Sequence, residues 1–156
     1  MTGKSTAAEC RTAVFAGSFN PFTAGHADIV ERGLALFDRI IVAVGINAAK
    51  GIEGHAAAAD AIRALYRDEP RVEVALYEGL TVDFARAAGA AALLRGVRSV
   101  RDFEYERDMA DVNMRLAGID TVILFSRPEL AAVSASLVRE LAAYGADTSP
   151  FLPKGR

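Results

Sequence analysis

Thr12-Ala13-Val14-Phe15-Ala16-Gly17-Ser18-Phe19-Asn20-Pro21-Phe22-Thr23-Ala24-Gly25-His26 carries the chain from an apolar run of strand length, Thr12 to Ala16, through a loop into a segment of helical spacing. That segment, Ala27 to Phe37, sets Ile29, Val30, Leu34 and Phe37 on one face. The alternation then repeats. Strands are expected at Arg39 to Gly45, Arg71 to Leu76, Ala91 to Leu94 and Thr121 to Phe125, and helices at Ala56 to Arg67, Thr81 to Ala88, Phe103 to Leu116 and Leu137 to Tyr144. The strand runs are too continuously apolar for a sheet with one wet face. Parallel strands joined by right-handed crossovers and covered by helices on both faces follow, which is an open α/β fold.

In such folds the ligand lies beyond the carboxyl ends of the strands, so the loop from Gly17 to Gly25 is where chemistry is expected. Its glycines permit close backbone approach, and the amides at a helix start offer partial positive charge to phosphate oxygens. No Gly-Lys-Ser/Thr closes the loop and no Gly-x-Gly-x-x-Gly is present, so it is neither a Walker loop nor a dinucleotide fingerprint. His26, one of two histidines, falls in the first helical turn, where its imidazole can donate towards a bound anion or merely cap its own helix.

The 156 residues make one domain, expected over residues 12–156, with 52% hydrophobic and 24% charged residues excluding a disordered chain. A net charge of -2 provides no global basic field, so no nucleic-acid or membrane partner is expected, and no apolar stretch reaches the ~20 residues of a membrane span. Any bound anion must meet a local cluster. The single cysteine, Cys10, excludes an internal disulfide framework and most thiolate metal sites, which fits a reducing, cytoplasmic location. Residues 1–11 read as a disordered leader without the apolar core of a signal peptide.

Three separated motifs carry a resemblance. Gly17-Ser18-Phe19-Asn20-Pro21 with Thr23-Ala24-Gly25-His26 resembles the Thr/His-x-Gly-His signature of the nucleotidyltransferase superfamily, in the Thr form of the phosphopantetheine adenylyltransferase family. Arg95-Gly96-Val97-Arg98, followed by Asp102-Phe103-Glu104-Tyr105-Glu106, is similar to that family's Arg-Gly-x-Arg loop and the helix start after it. Val133-Ser134-Ala135-Ser136-Leu137-Val138-Arg139 is similar to its Ile-Ser-Ser-Ser/Thr-x-x-Arg segment. The resemblance implies a Rossmann-like open parallel sheet and transfer of the adenylyl group of ATP to 4'-phosphopantetheine, giving dephospho-coenzyme A and pyrophosphate in coenzyme A biosynthesis. It implies His26 as the catalytic group. Ser18, Phe19, His26, Gly96, Val97, Arg98, Glu106, Leu130, Val133, Ser134, Ala135 and Ser136 would bind ATP. Ser18, Lys50, Leu80, Thr81, Arg95 and Asn113 would bind the second substrate. Mg2+ is the implied cofactor, with no metal ligand assigned, and the implied assembly is a homohexamer built as a dimer of trimers.

The residues also admit plainer readings. Lys50 can be a solvated loop lysine, Arg95 and Arg98 can form structural ion pairs with Asp102 or Glu106, and Ser134 and Ser136 can cap the last helix. His55, in an alanine-rich stretch, reads as a surface residue. Asn20, Ala135 and Ala56 to Ala59 depart from the family's pattern. Gly-Ser-Phe-Asn-Pro is the spelling more usual in nicotinate or nicotinamide mononucleotide adenylyltransferases, a rival reading opposed by Thr23 in place of the first histidine. A paralogue that binds nucleotide or coenzyme A without turnover is the alternative outside catalysis.

Overall fold

A computed structural model describes residues 9–47, 49 and 51–155. Five strands, β1 (Thr12–Gly17), β2 (Arg39–Gly45), β3 (Val72–Tyr77), β4 (Ala92–Val97) and β5 (Asp120–Phe125), alternate with α1 (Ala24–Gly33), α2 (Ile52–Leu65), α3 (Thr81–Ala87), α4 (Val100–Ala117) and α5 (Ala135–Ala143). The strands form one all-parallel sheet in the order β3-β2-β1-β4-β5. The expected α/β architecture is therefore present, with the strand order reversing direction at the β1/β4 junction.

Period-two alternation along the strands divides the core between the two faces. Ala13, Phe15, Val42, Val44 and Leu94 pack with Ile29, Val30 and Leu34 of the α1 segment and Ile62 of α2. Val14, Ala16, Ile41, Ala43 and Leu93 pack on the opposite face with Val82 and Ala85 of α3 and Ile119. Each Val, Leu, Ile or Phe among them, removed from water, contributes about 1.5–3 kcal/mol before ordering costs.

Four helices, α1, α2, α4 and α5, begin earlier than their apolar spacing suggested, and in three of them a polar residue sets the start. Thr23 caps α1 by accepting from the His26 amide, Ser99 caps α4 by accepting from the Asp102 amide, and Ser134 caps α5 by accepting from the Leu137 amide. α4 reads from Val100 instead of Phe103 for this reason. Strand β4 continues through Arg95 and Gly96 to Val97, beyond the apolar run that marked it. Those two residues pair with Ile123 and Leu124 of β5 despite their low strand propensity.

The β1/β4 junction positions the site. β1 pairs with β2 over its whole length, but its pairing with β4 covers only Ala13 opposite Ala92 and Val14 opposite Leu93. Past Val14 the two central strands separate, and a crevice opens at Ala16 and Gly17 on one side and Arg95 and Gly96 on the other. No helix among the described residues is long and apolar enough to cross a membrane.

Candidate active site

Two cavities flank the crevice. The first, about 300 Å3, is walled by the loop after β1, the first turn of α1, the end of β4 and the start of α5. The second, about 480 Å3, runs between the loop before α3 and the exposed side of α4. Ala16, Gly17, Ser18 and Arg95 line both, so the two spaces meet at the mouth of the crevice.

His26 lines the first cavity, and its geometry follows from a capping box. The Thr23 amide donates to Nδ1 at 2.9 Å, so Nδ1 is the acceptor and the imidazole proton resides on Nε2. Phe15, Phe19 and Phe22 surround the ring at centroid distances of 6.1, 5.0 and 5.4 Å and fix its plane. Burial, reinforced by the Arg95 and Arg98 charges, lowers the His26 pKa from 6.5 to about 4. At neutral pH it is a neutral donor.

This depression has a consequence for stability. The unfolded chain takes up a proton near pH 6.5, whereas the folded imidazole resists it until about 4. Above 6.5 the two states bind equal protons; as the pH falls, folding is penalised by up to roughly 3 kcal/mol. Denaturant titrations at pH 7 and pH 4.5 should show the wild type losing more stability than His26→Gln over that interval. Equal losses would contradict the neutral assignment.

The loop before His26 is held by close contacts. Phe19 adopts φ 47°, which folds its ring beneath Gly17, where any Cβ would lie 3.1 Å from the ring carbons. Arg139 of α5 donates through Nη1 to the Asn20 carbonyl at 2.5 Å, tying the loop to the last helix.

Arg95 fills the vacancy left by the separating strands. Its Nη1 donates to the Ala16 carbonyl at 2.6 Å, while Nε and Nη2 reach the two carboxylate oxygens of Glu106 at 3.0 and 2.7 Å. Glu106 is 8% exposed, so this two-pronged pair is largely desolvated. Arg98 pairs with Asp102 at 3.7 Å and its Nη1 donates to the Ala131 carbonyl at 3.4 Å. The structural ion pairs that the sequence allowed are thus present, and both arginines still line the first cavity. Gly96 beside them has no room for a side chain, since a Cβ would fall 2.9 Å from Ile29.

Of the residues expected at the nucleotide site, Ser18, Phe19, His26, Gly96, Val97, Arg98, Val133, Ser134 and Ala135 share the first cavity. Ser136 stands beside it, its Oγ 3.3 Å from that of Ser134. Leu130 lies in a neighbouring depression with Asp28 and Arg127, and Glu106 faces the second cavity. Of the residues expected at the second substrate, Ser18, Leu80, Thr81, Arg95 and Asn113 line the second cavity. Lys50 lies outside the described residues, as do residues 1–8 of the expected leader, whereas the Arg11 amide donates to the Asp38 carboxylate at 2.7 Å and the Arg11 carbonyl accepts from the Asp38 amide at 2.9 Å. His55 departs from its surface reading: it is 6% exposed, and its Nε2 accepts from the Asn47 amide at 3.2 Å. It lies on the buried face of α2 with Ala59 and Ile62.

Sequence reasoning passed over the aromatic cage of His26, Ser126 in the first cavity, and Tyr77, Tyr105 and Met109 in the second. The Thr23-x-x-His26 spacing, a capping box with histidine in the acceptor role, was the available signal for the ring's orientation.

Comparison with known proteins is in keeping with this geometry. The profile described as Cytidylyltransferase-like matches residues 14–141. A phosphopantetheine adenylyltransferase of Bacteroides fragilis is 48% identical over 149 residues, covering 93% of this chain and 97% of that protein. One from Porphyromonas gingivalis is 53% identical over 144 residues, covering 92% and 94%. The chain belongs to the phosphopantetheine adenylyltransferase family. It is thereby a nucleotidyltransferase. A bifunctional NMN adenylyltransferase/ADP ribose pyrophosphatase of Francisella tularensis superposes with a TM-score of 0.65 at 14% identity, over 94% of this chain and 45% of that longer one. A lipopolysaccharide core biosynthesis protein of Thermoplasma volcanium gives 0.53 at 16% identity, over 76% and 97%. At such identities these two establish the shared fold of the family and nothing narrower.

Proposed function

We propose that the chain transfers the adenylyl group of ATP to 4'-phosphopantetheine, giving dephospho-coenzyme A and pyrophosphate. The observation that carries the reading is the meeting of two cavities at Ser18 and Arg95, with a neutral histidine donor in the first. A phosphate oxygen of phosphopantetheine attacks the α-phosphorus of ATP; the bond from that phosphorus to the bridging oxygen breaks, and pyrophosphate departs with the electron pair. No side-chain nucleophile is required. The protein's task is to bring two anions together in line and to meet the charge that develops between them.

The nucleotide takes the first cavity. Nε2–H of His26 and the amides after Gly17 face the α-phosphate, and Arg98 with Ser134 and Ser136 holds the departing pyrophosphate. Leu130 and Glu106 are assigned to ATP by the family resemblance alone. The pantetheine arm takes the second cavity, whose wall of Leu80, Met109 and Leu116 suits its apolar stretches and whose Thr81 and Asn113 suit its amides. Ser18, Arg95 and Lys50 are the proposed grip on its phosphate.

No carboxylate lines the first cavity among the described residues, and no cluster of three metal-ligating side chains occurs among them. The donor set does not fit a protein-held ion. Mg2+ would be brought by the nucleotide and would offset polyphosphate charge there. Assembly of several copies, the hexamer of two trimers being the form the family resemblance implies, is supported by apolar side chains that α4 and β5 leave exposed outside the cavities, Val100, Phe103, Met114 and Phe125.

Incubation with ATP, Mg2+ and 4'-phosphopantetheine should release pyrophosphate and dephospho-coenzyme A in equal amounts. A parallel reaction with nicotinamide mononucleotide should yield neither dinucleotide nor pyrophosphate. Product only in the second reaction would transfer the assignment to the rival substrate, and binding without product in either would make the chain a sensor.

A further inference from the structure

We propose that Asp28 and Arg127 are positioning residues for the nucleotide cavity, fastening the segment between β5 and α5 to the helix that carries His26. The inference rests on the first cavity being the nucleotide site, and it concerns residues that do not line it.

Asp28 lies two residues after His26 on α1, with its side chain only 13% exposed, and it holds two guanidiniums. Oδ1 accepts from Arg127 Nε at 2.7 Å, and Oδ2 accepts from Arg32 Nη1 at 3.0 Å. The same Arg32 nitrogen donates to the Phe125 carbonyl at 2.8 Å, at the end of β5. One carboxylate thus fixes both the end of the edge strand and the first residues of the crossing segment.

That segment delivers Val133 and Ser134 to the cavity, across from His26. The same segment is also tied by the Ser126 amide, which donates to the Val97 carbonyl at 2.8 Å, and by Arg98, whose Nη1 donates to the Ala131 carbonyl at 3.4 Å. A largely desolvated carboxylate with two charged donors outweighs an exposed ion pair, so the Asp28 junction is the stiffest of these links. Since α1 carries both His26 and Asp28, it serves as a common frame: loosening Asp28 lets the pyrophosphate side of the cavity drift while the imidazole stays in place.

The test uses the full chain carrying Asp28→Asn, Arg127→Gln and both together. Arg127 is 53% exposed, so its replacement leaves the core intact even if Asp28→Asn proves poorly folded. Each single variant should raise the KM for ATP by roughly five- to tenfold, with kcat and the KM for phosphopantetheine within about twofold of wild type. The double variant should be no worse than Asp28→Asn alone, because Arg127 acts through that carboxylate, whereas Asp28 also holds Arg32. Amide hydrogen exchange across residues 126–134 should quicken in both singles, with no substrate present, while exchange around His26 is unchanged. Multiplying losses in the double, a parallel rise in both KM values, or unaltered exchange would overturn the proposal. Absence of dephospho-coenzyme A from wild type would instead defeat the functional reading, and the exchange measurement would still decide the clamp.

Discussion

His26→Ala is expected to lower kcat by roughly 10²- to 10³-fold while leaving the affinity for ATP within about threefold of wild type. The imbalance follows from how the ring is held. Its Nδ1 is committed to the Thr23 amide and its plane is fixed by three phenylalanines, so its remaining donor is aimed before substrate arrives. A donor so oriented has little to gain from a ground-state phosphate already met by backbone amides. It gains most when the α-phosphorus becomes five-coordinate and its oxygens gather charge. Single-turnover rates and equilibrium ATP titration measure the two quantities separately. An affinity loss as large as the rate loss would mean that the histidine serves binding alone. The pH profile adds a second reading. With the pKa near 4, no ionisation of His26 should appear in kcat around its ordinary value of 6.5.

Glu106→Ala should destabilise the fold by about 2 kcal/mol, below the 3–5 expected for a fully buried pair because the Arg95 side chain is about one-third exposed. In a chain of this length that corresponds to a fall of roughly 4–8 °C in the unfolding midpoint. Activity should suffer as well, since Arg95 would lose the partner that holds its guanidinium at the Ala16 carbonyl, at the junction of the two cavities. Glu106→Gln retains an acceptor for one guanidinium nitrogen and should recover part of both losses. If calorimetry and turnover showed Glu106→Ala and Glu106→Gln to be indistinguishable, the carboxylate's hydrogen-bonded geometry would have no role.

The architecture was readable in the sequence because its strands are interior and therefore apolar throughout, and its helices amphipathic. Where a strand carries function the signal fails: Arg95 and Gly96 belong to β4, yet the Arg95 side chain serves the crevice and Gly96 has none, so hydropathy ended the strand at Leu94. Motif spelling located His26 and the two arginines but could not tell which charges are already engaged. That distinction depends on Glu106 coming round on the following helix to meet Arg95, a contact eleven residues distant in the chain. His55 was misplaced for a related reason. It shares the buried face of α2 with Ala59 and Ile62, but the run Ala56 to Ala59 gives hydropathy no contrast between that face and the outer one. The Asp28 junction was beyond sequence reasoning, since Arg127 lies 99 residues away.

The brevity of the β1/β4 ladder sets a limit on how regular this protein can become. The Ala16 carbonyl can accept either a neighbouring strand's amide or the Arg95 guanidinium, and the present arrangement uses the second. Any sequence drift that zipped the two central strands together past Val14 would add rungs to the sheet and seal its mouth in the same act. Selection for a tighter scaffold and selection for an open one therefore pull in opposite directions at a single peptide group, and the gap in the weave persists as the signature of which prevailed.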